Sequence, residues 1–560
     1  MIFFIPQVLF SVYTHAEESP KGKQIYTRNQ LDAFNARTLE ELLDALPGVS
    51  GGGSKIRGSS GGVVIFIDDR RITDAATKKT NLWGYSAMDI ERIEIIKGAG
   101  AATYGNDTAG GVILVTTVKE KRGLSRLVEM YAGTLGNTML RGKITQEGNS
   151  SSKGGCLTLF YKEKDDKYSG WKEIVLQDMF YKRNLDNTDK ITVGLNAYYG
   201  SYKPVGLTHF PTPNAKAYFY DWNLSGAYNK GILKSQTYYT GRKEDYRNPD
   251  IDYRNEFLSQ LIGEMINYVM DFPIIGKTPV GAEAKYNVIT SVNFDTQEQD
   301  EIHLFGAKSW KTNEWLSFEA GLRLSRYSEY GQGINPEATI TLSLDNWSIK
   351  ANANQSHNTP SIHDRFHSTT YIKGNPDLDM EKVTNCSLGF AYNPAGRFDF
   401  SAGGFYSRID DAVTQVRYGD ITTYENLDST TRKGADASLD IKAIENVNLN
   451  LSYVYLIAKN DDTDLYLVNK PEHTFKYTLT SKYNNFSFMH KGIYTSSYYS
   501  NSANTEKQPG RYLADVRLTY TKKSWQMYLE ATNLFDKDYE EYRGKPGYGR
   551  IIKAGMQWDF

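Results

Sequence analysis

The chain has 560 residues and a formal net charge of −1, so it lacks the basic excess of a general nucleic-acid binder. Its mean hydropathy is −0.53, and no run of about 18 apolar residues occurs, which excludes an ordinary membrane helix. A membrane β-barrel escapes that test, because only alternate residues of each strand face lipid. The 41 Tyr, 24 Phe and 8 Trp could furnish the aromatic girdles of such a barrel, and would equally suit a large soluble β-sandwich. Cys156 and Cys386, the two cysteines, are too few for a disulfide scaffold and are expected to be unpaired strand residues.

In chain order, residues 1–16 are apolar and end in a small residue, the pattern of a signal peptide without its positive start. Residues 38–46, TLEELLDAL, read as a short amphipathic helix, with Thr38 as N-cap, Glu41 three residues on and Pro47-Gly48 as the stop. A Gly-rich loop follows, then the apolar strand Val63–Ile67, a turn at Asp68-Asp69, the alternating strand 89–97, a second Gly-rich turn and the strand Gly111–Val118. These pieces make a small α+β domain over residues 17–121.

From about Ser125 the character changes to period-2 alternation that recurs over more than 400 residues. Leu316, Phe318, Ala320, Leu322 and Leu324 oppose Ser317, Glu319, Gly321, Arg323 and Ser325. Ala435, Ala437, Leu439 and Ile441 oppose Asp436, Ser438, Asp440 and Lys442, and Val447, Leu449, Leu451 and Tyr453 oppose Asn448, Asn450 and Ser452. The last strand sets Ile552, Ala554, Met556, Trp558 and Phe560 against Lys553, Gly555, Gln557 and Asp559. The apolar member of each alternation is expected to face lipid. Short turns (Asn346, 393–396, Lys522-Lys523) alternate with long polar loops (244–253, 356–381, 458–470, 496–510), the two-rim asymmetry of outer-membrane barrels. Pairing turns with loops predicts about 22 antiparallel strands over residues 122–560, the size of a plugged barrel. One segment conflicts locally. Phe257, Leu261, Met265 and Val269 have helical spacing within 257–270, while the context predicts a strand.

Leu46-Pro47-Gly48-Val49, Ile56-Arg57-Gly58, Val63–Asp69, Ile90–Gly98, Tyr104-Gly105 and Gly110–Thr116 follow one another in the order found in the plug of TonB-dependent receptors. The wall carries two more matching elements, TPSIHDRF with GNPDLDMEK inside His357–Glu381 and the run Asn533–Tyr539. The sequence therefore resembles the TonB-dependent outer-membrane receptor family over nearly its whole length. The resemblance implies an all-β-dominated fold, a 22-stranded antiparallel transmembrane barrel with the N-terminal α+β plug inside its lumen. It implies a monomeric transporter of the cell outer membrane, not an enzyme, that needs no cofactor, binds no nucleic acid and meets outer-membrane lipid. The cargo would be a large scarce nutrient, a ferric siderophore or a related chelate such as haem or cobalamin. A TonB-type energy-coupling protein would be its partner.

Residues 17–24, EESPKGKQ, do not match the coupling box by which that partner grips family members. A non-energised binding receptor of the same fold is the alternative this departure leaves open. Ligand contact is expected on outward plug loops at Ser54, Lys55, Asn81, Trp83 and Tyr85, with Trp83 and Tyr85 as aromatic anchors. Haem receptors of the family carry a histidine in the section that here holds His357, His363 and His367, which makes His363 and His367 candidates, although the plug has no histidine. The plainer expectation is solvated loop histidines. Asp165-Asp166 and the Asp461, Asp462, Asp464 group could hold structural Ca²⁺, and more simply are solvated; no resident metal is expected. By resemblance, the basic plug positions Arg57 and Lys97 face the wall positions Ser387 and Asp436 to lock the plug. The planar fork of Arg57 would make it the tighter partner of Asp436.

Overall fold

The computed structural model describes residues 24–560 apart from 35, 37, 52, 58–62, 69, 73–81, 83–84, 99, 106, 109, 118–122, 149, 164–168, 186–188, 370–371, 395–397, 419–420, 427–428 and 445. The proposed signal peptide, residues 17–23, Asn81, Trp83 and the Asp165-Asp166 pair lie outside the described residues.

Helix formation in the plug is local chemistry. Thr38 accepts the Glu41 amide at 3.1 Å, satisfying a donor that the helix Leu39–Ala45 would otherwise leave open. Leu39, Leu42 and Leu43 on one face of this helix are buried. They meet Ile65, Ile93, Ile95, Ile113 and Val115 from the sheet behind to form one apolar core. That sheet has five strands. Gln24–Thr27 pairs with Ile90–Lys97, which pairs with Gly111–Thr117, which runs parallel to Val63–Ile67, and Arg70–Arg71 closes the edge. Two glycines are structural necessities here. A Cβ on Gly111, whose φ is +125°, would lie 2.4 Å from the Ile96 carbonyl oxygen, and one on Gly53, whose φ is +84°, would lie 2.6 Å from the Leu43 side chain.

The wall begins at Gly123 and closes on itself as 22 antiparallel strands, the last, Ile551–Asp559, pairing with the first, Gly123–Gly133. Alternation does here what the sequence predicts. Phe318, Leu322 and Leu324 are exposed on the outside, whereas Arg323 between them is buried in the lumen. Trp558 and Phe560 face out and Gln557 is buried within. The segment 257–270 is part of a strand, Tyr253–Phe272, so pairing with both neighbours overrides its helical spacing. Cys156 and Cys386 are unpaired, the first buried and the second exposed.

Three segments toward the long-loop rim carry more regular structure than a long polar loop. Residues 244–253 are not a long loop, because the strands run to Asn248 and restart at Tyr253 around a single turn at Pro249–Ile251. Asp245 accepts from Arg247 Nε at 3.0 Å and from Arg254 Nε at 3.3 Å, so the hairpin outlasts its apolar stretch. Within 356–381 lies a helix, Ile362–Phe366, capped by Ser361, which accepts the Asp364 amide at 3.1 Å. Val413–Tyr418 pairs antiparallel with Ile421–Asn426 toward the long-loop rim.

Candidate functional site

The plug cations Lys97 and Arg57 both lie against Asp436 of the wall. Lys97 ends its strand inside the lumen, and its Nζ donates to Asp436 Oδ2 at 2.5 Å. Arg57 lies 2.6 Å from Asp436 Oδ1 through Nε, without the alignment of a hydrogen bond, and its guanidinium covers the Phe405 ring at 4.8 Å. The bidentate fork expected of Arg57 is not what forms. The ring takes its plane, and Lys97 makes the directed bond. All three side chains are nearly buried. Burial pushes the Lys97 ammonium below its usual range, Asp436 opposes that shift and Arg57 adds to it. Ser387 sits opposite Phe405 in register on the next strand, half-buried and uncharged, so the group has two bases and one acid.

A second buried ion cluster has the opposite polarity, and nothing in the sequence signals it. The acid is on the plug. Asp89 Oδ1 accepts from Lys143 Nζ at 2.8 Å, and Oδ2 accepts a short bond from Arg141. Both bases belong to the strand Thr138–Glu147. Arg141 also lies 3.7 Å from Glu129 and donates through Nε to Cys156 Sγ at 3.1 Å. Burial pushes the Asp89 carboxyl up, and Arg141 and Lys143 outweigh it, so it stays below the usual carboxylate range.

Further wall groups grip plug backbone. Lys476 Nζ donates to the Asp44 carbonyl at 2.5 Å and to that of Val49, placing a cation at the C-terminal end of the helix Leu39–Ala45. Glu337 accepts the Gly100 amide at 3.2 Å, and the Asn354 amide donates to the Gly98 carbonyl. Near the long-loop rim Asp107 pairs with Arg71 at 3.0 Å and accepts the Thr359 amide at 3.2 Å.

The predicted ligand residues separate. Ser54 is exposed at a plug turn, donating to the Gly51 carbonyl at 2.6 Å, and Lys55 beside it is half-buried. Tyr85, expected on an outward loop, is instead buried at 8% exposure in the plug core, its carbonyl accepting the Leu39 amide at 2.8 Å. An aromatic beside a glycine looks like a loop anchor in sequence; here the chain turns it inward under the helix. His363 and His367 stack on each other at 4.1 Å between ring centroids, which leaves no slot between them for a planar macrocycle. His367 is 1% exposed with Nε2 3.2 Å from the Tyr253 hydroxyl, and burial, then His363, holds it down to about 4.

A group missed in sequence lies where the plug meets the long-loop rim. Lys470 is buried at 8% exposure, and after burial itself the Arg432 and Lys55 cations hold its ammonium well below its usual range. Arg432 acts on the carboxylate of Glu381, which accepts from Asn358 Nδ2 and the Val413 amide, both at 2.9 Å. Lys470 thus faces two cations, Lys55 of the plug and Arg432 of the wall, and Arg432 in turn has Glu381 as its acid.

A closed barrel with a lipid-facing apolar exterior and a folded domain in its lumen is a plugged outer-membrane barrel. Residues 134–534 match the β-barrel domain of TonB-dependent receptors, residues 15–112 match the TonB-dependent receptor plug domain, and the chain belongs to that family. It is 23% identical over 547 residues to the vitamin B12 transporter BtuB of Photobacterium profundum, covering 92% of this chain and 88% of that protein. It is 22% identical over 539 residues to an iron-regulated outer membrane virulence protein of Vibrio cholerae (serotype O1, strain O395), covering 83% and 80%. Among solved structures, the siderophore receptor PirA from Acinetobacter baumannii matches with a TM-score of 0.80 at 15% identity, covering 96% of this chain and 98% of that one. The copper transporter OprC matches with a TM-score of 0.81 at 16% identity, covering 96% and 100%.

Proposed function

We propose that this receptor takes up an anionic metal chelate, of the ferric siderophore kind, with energy supplied by a TonB-type protein. The observation that carries the anionic character is the Lys55, Arg432 and Lys470 group at the outward plug surface, with Glu381 as the acid on Arg432. A positive potential there draws anionic ligands and disfavours neutral ones. The plug would stay closed through the Asp436 and Asp89 clusters until pulled. The family supports the uptake reading, and the iron-regulated and siderophore-receptor descriptions among the relatives and neighbours favour an iron chelate as cargo. Ser54 and Lys55 sit where cargo would first touch the plug.

The charge reading has a pH signature. An anionic ligand favours the protonated Lys470, whose proton affinity is low in the empty site. Binding should therefore favour the protonated form, and affinity should weaken as pH rises. A ferric tris-catecholate serves as the probe. Lys470→Gln should flatten the pH dependence, and Arg432→Gln should weaken binding roughly ten- to hundredfold, the range of a charge-assisted bond. Binding that is pH-independent and unchanged in both variants, or a preference for an uncharged corrinoid, refutes the anionic assignment. Uptake measured in cells with and without the coupling protein tests the energised part. Independence from it would establish a passive binding receptor.

A further inference from the structure

Among the described residues, the outer face of the wall carries two ionisable side chains at mid-depth, amid mostly apolar lipid-facing residues. On Tyr253–Phe272 the exposed members Ile262, Ile266, Tyr268 and Met270 mark the outward parity, and Glu264 shares it. Its carboxylate accepts from Ser235 Oγ at 2.6 Å and from Thr237 Oγ1, both on the neighbouring strand, where Tyr239 also accepts from Gln260 Nε2 at 2.6 Å. Tyr268 belongs to the aromatic rows toward the short-turn rim. Four residues of tilted strand raise Glu264 about 10 Å above it, close to the middle of an apolar band about 25 Å tall. Exposed Ala282 and Ala284 on the next strand keep the surface beside Glu264 low enough for a second wall to approach.

The second is His490 on Phe486–Thr495, outward with Phe486, Phe488 and Tyr494. Its Nε2 lies 2.8 Å from the Tyr477 hydroxyl, which lies 2.6 Å from that of Tyr512. His490 stands four residues from Phe486, which adjoins its short turn, as Glu264 stands four from Tyr268, which pairs with Leu233 beside the 231–232 turn. The two strands are the eighth and nineteenth of the 22, eleven positions apart, so the acid and the imidazole lie on opposite sides of the barrel.

An ionisable group in the lipid band is costly unless a partner meets it. We propose that Glu264 of one copy and His490 of the next form a head-to-tail contact between receptors in the plane of the membrane. Each face presents what the other needs. With hydroxyls ordered from Tyr512 to Tyr477 to His490 Nε2, the remaining ring nitrogen carries the proton and donates to the carboxylate. A two-fold pairing would instead set carboxylate against carboxylate, which like-charge repulsion opposes. A contact between unlike faces half a turn apart does not close into a ring; it propagates as a row. Each lumen stays open to its own cargo, so the row goes beyond the uptake reading and does not depend on it.

Cysteines placed beside the pair test this while leaving it intact. In a Cys386→Ser background, chains carrying both Ile266→Cys and Phe488→Cys, each one outward position nearer the short-turn rim than its ionisable neighbour, should give a ladder of multimers on mild oxidation in outer-membrane preparations. Chains with one of these cysteines should stay monomeric. Adding Glu264→Leu, or independently His490→Phe, should cut the ladder at least tenfold while the heat-modifiable mobility of the folded barrel persists. Dimers from Ile266→Cys alone, cross-links to other proteins, a ladder indifferent to Glu264→Leu and His490→Phe, or monomers throughout would overturn the proposal.

Discussion

Two of the carboxylates that tie the plug to the wall each meet a pair of bases, and they do so from opposite sides. Asp436 belongs to the wall and is approached by two plug bases, while Asp89 belongs to the plug and is approached by two wall bases. Both are nearly buried, and each is outnumbered two to one. The difference lies in what else the bases touch. Around Asp89, Arg141 keeps Glu129 and Cys156 as further partners. Around Asp436, Lys97 has the directed bond, while Arg57 has the ring of Phe405 and its 2.6 Å approach. The cluster at Asp436 therefore depends more heavily on its one acid, and it joins the two elements that carry the family's plug motifs.

That comparison breaks most sharply at Asp436. Asp436→Asn leaves two buried cations sharing a neutral amide, and stranding a buried charge costs roughly 3–5 kcal/mol. The cost falls on the plug–wall contact, because the strand ladders on either side of residue 436 do not use its side chain. The expected outcome is a barrel that still folds, admits more of a small antibiotic and lets protease reach the plug. Single-channel conductance and limited proteolysis check it, and wild-type values in both would show Asp436 to be an ordinary lumen residue. Asp89→Asn should act in the same direction with a smaller loosening, about 1–3 kcal/mol, since Arg141 retains an acid and a thiol. If Asp89→Asn opens the plug more than Asp436→Asn does, the ranking by remaining partners is wrong.

The two clusters also differ in how far they can be foreseen. The lumen parity of Asp436 follows from Ala435, Ala437 and Leu439 around it, but parity marks many polar positions on 22 strands alike. What singles out Asp436 is the family resemblance, not its spacing. Asp89 and Arg141 have no such help. Arg141 is one polar lumen residue among many, and no pattern says at what height or rotation a separately folded domain sits in the lumen. Local signals carry further. Thr38 and Glu41 foretell the helix Leu39–Ala45, and period-2 alternation foretells the outward faces at Phe318 and Trp558, because each depends on nearest-neighbour geometry. Tyr85 and the 244–253 hairpin mislead for one reason. Polarity and glycine suggest exposure, whereas the plug helix covers Tyr85 and cross-strand pairs carry the hairpin upward. The Lys470 group is a meeting of plug, strand end and loop, three segments whose convergence only the closed barrel defines.

The smallest effect should come from removing a base, and it separates the two bases of the Asp436 cluster. With either gone, one cation still faces one carboxylate, so no net charge is stranded and each loss should stay near ~1 kcal/mol, the scale of a single bond. The two losses should nevertheless be unequal. Lys97→Met removes the one aligned donor on Asp436, and Arg57 cannot replace it without leaving the Phe405 ring. Arg57→Met removes an unaligned approach and lets methionine keep apolar contact with that ring, while Lys97 holds its bond. Plug protease resistance should therefore fall further in Lys97→Met than in Arg57→Met, the reverse of what a bidentate arginine would give. In a cycle with Asp436→Asn, the coupling energy of Lys97 should likewise exceed that of Arg57. Equal couplings, or a larger one for Arg57, would mean that the guanidinium turns from the ring and takes both carboxylate oxygens.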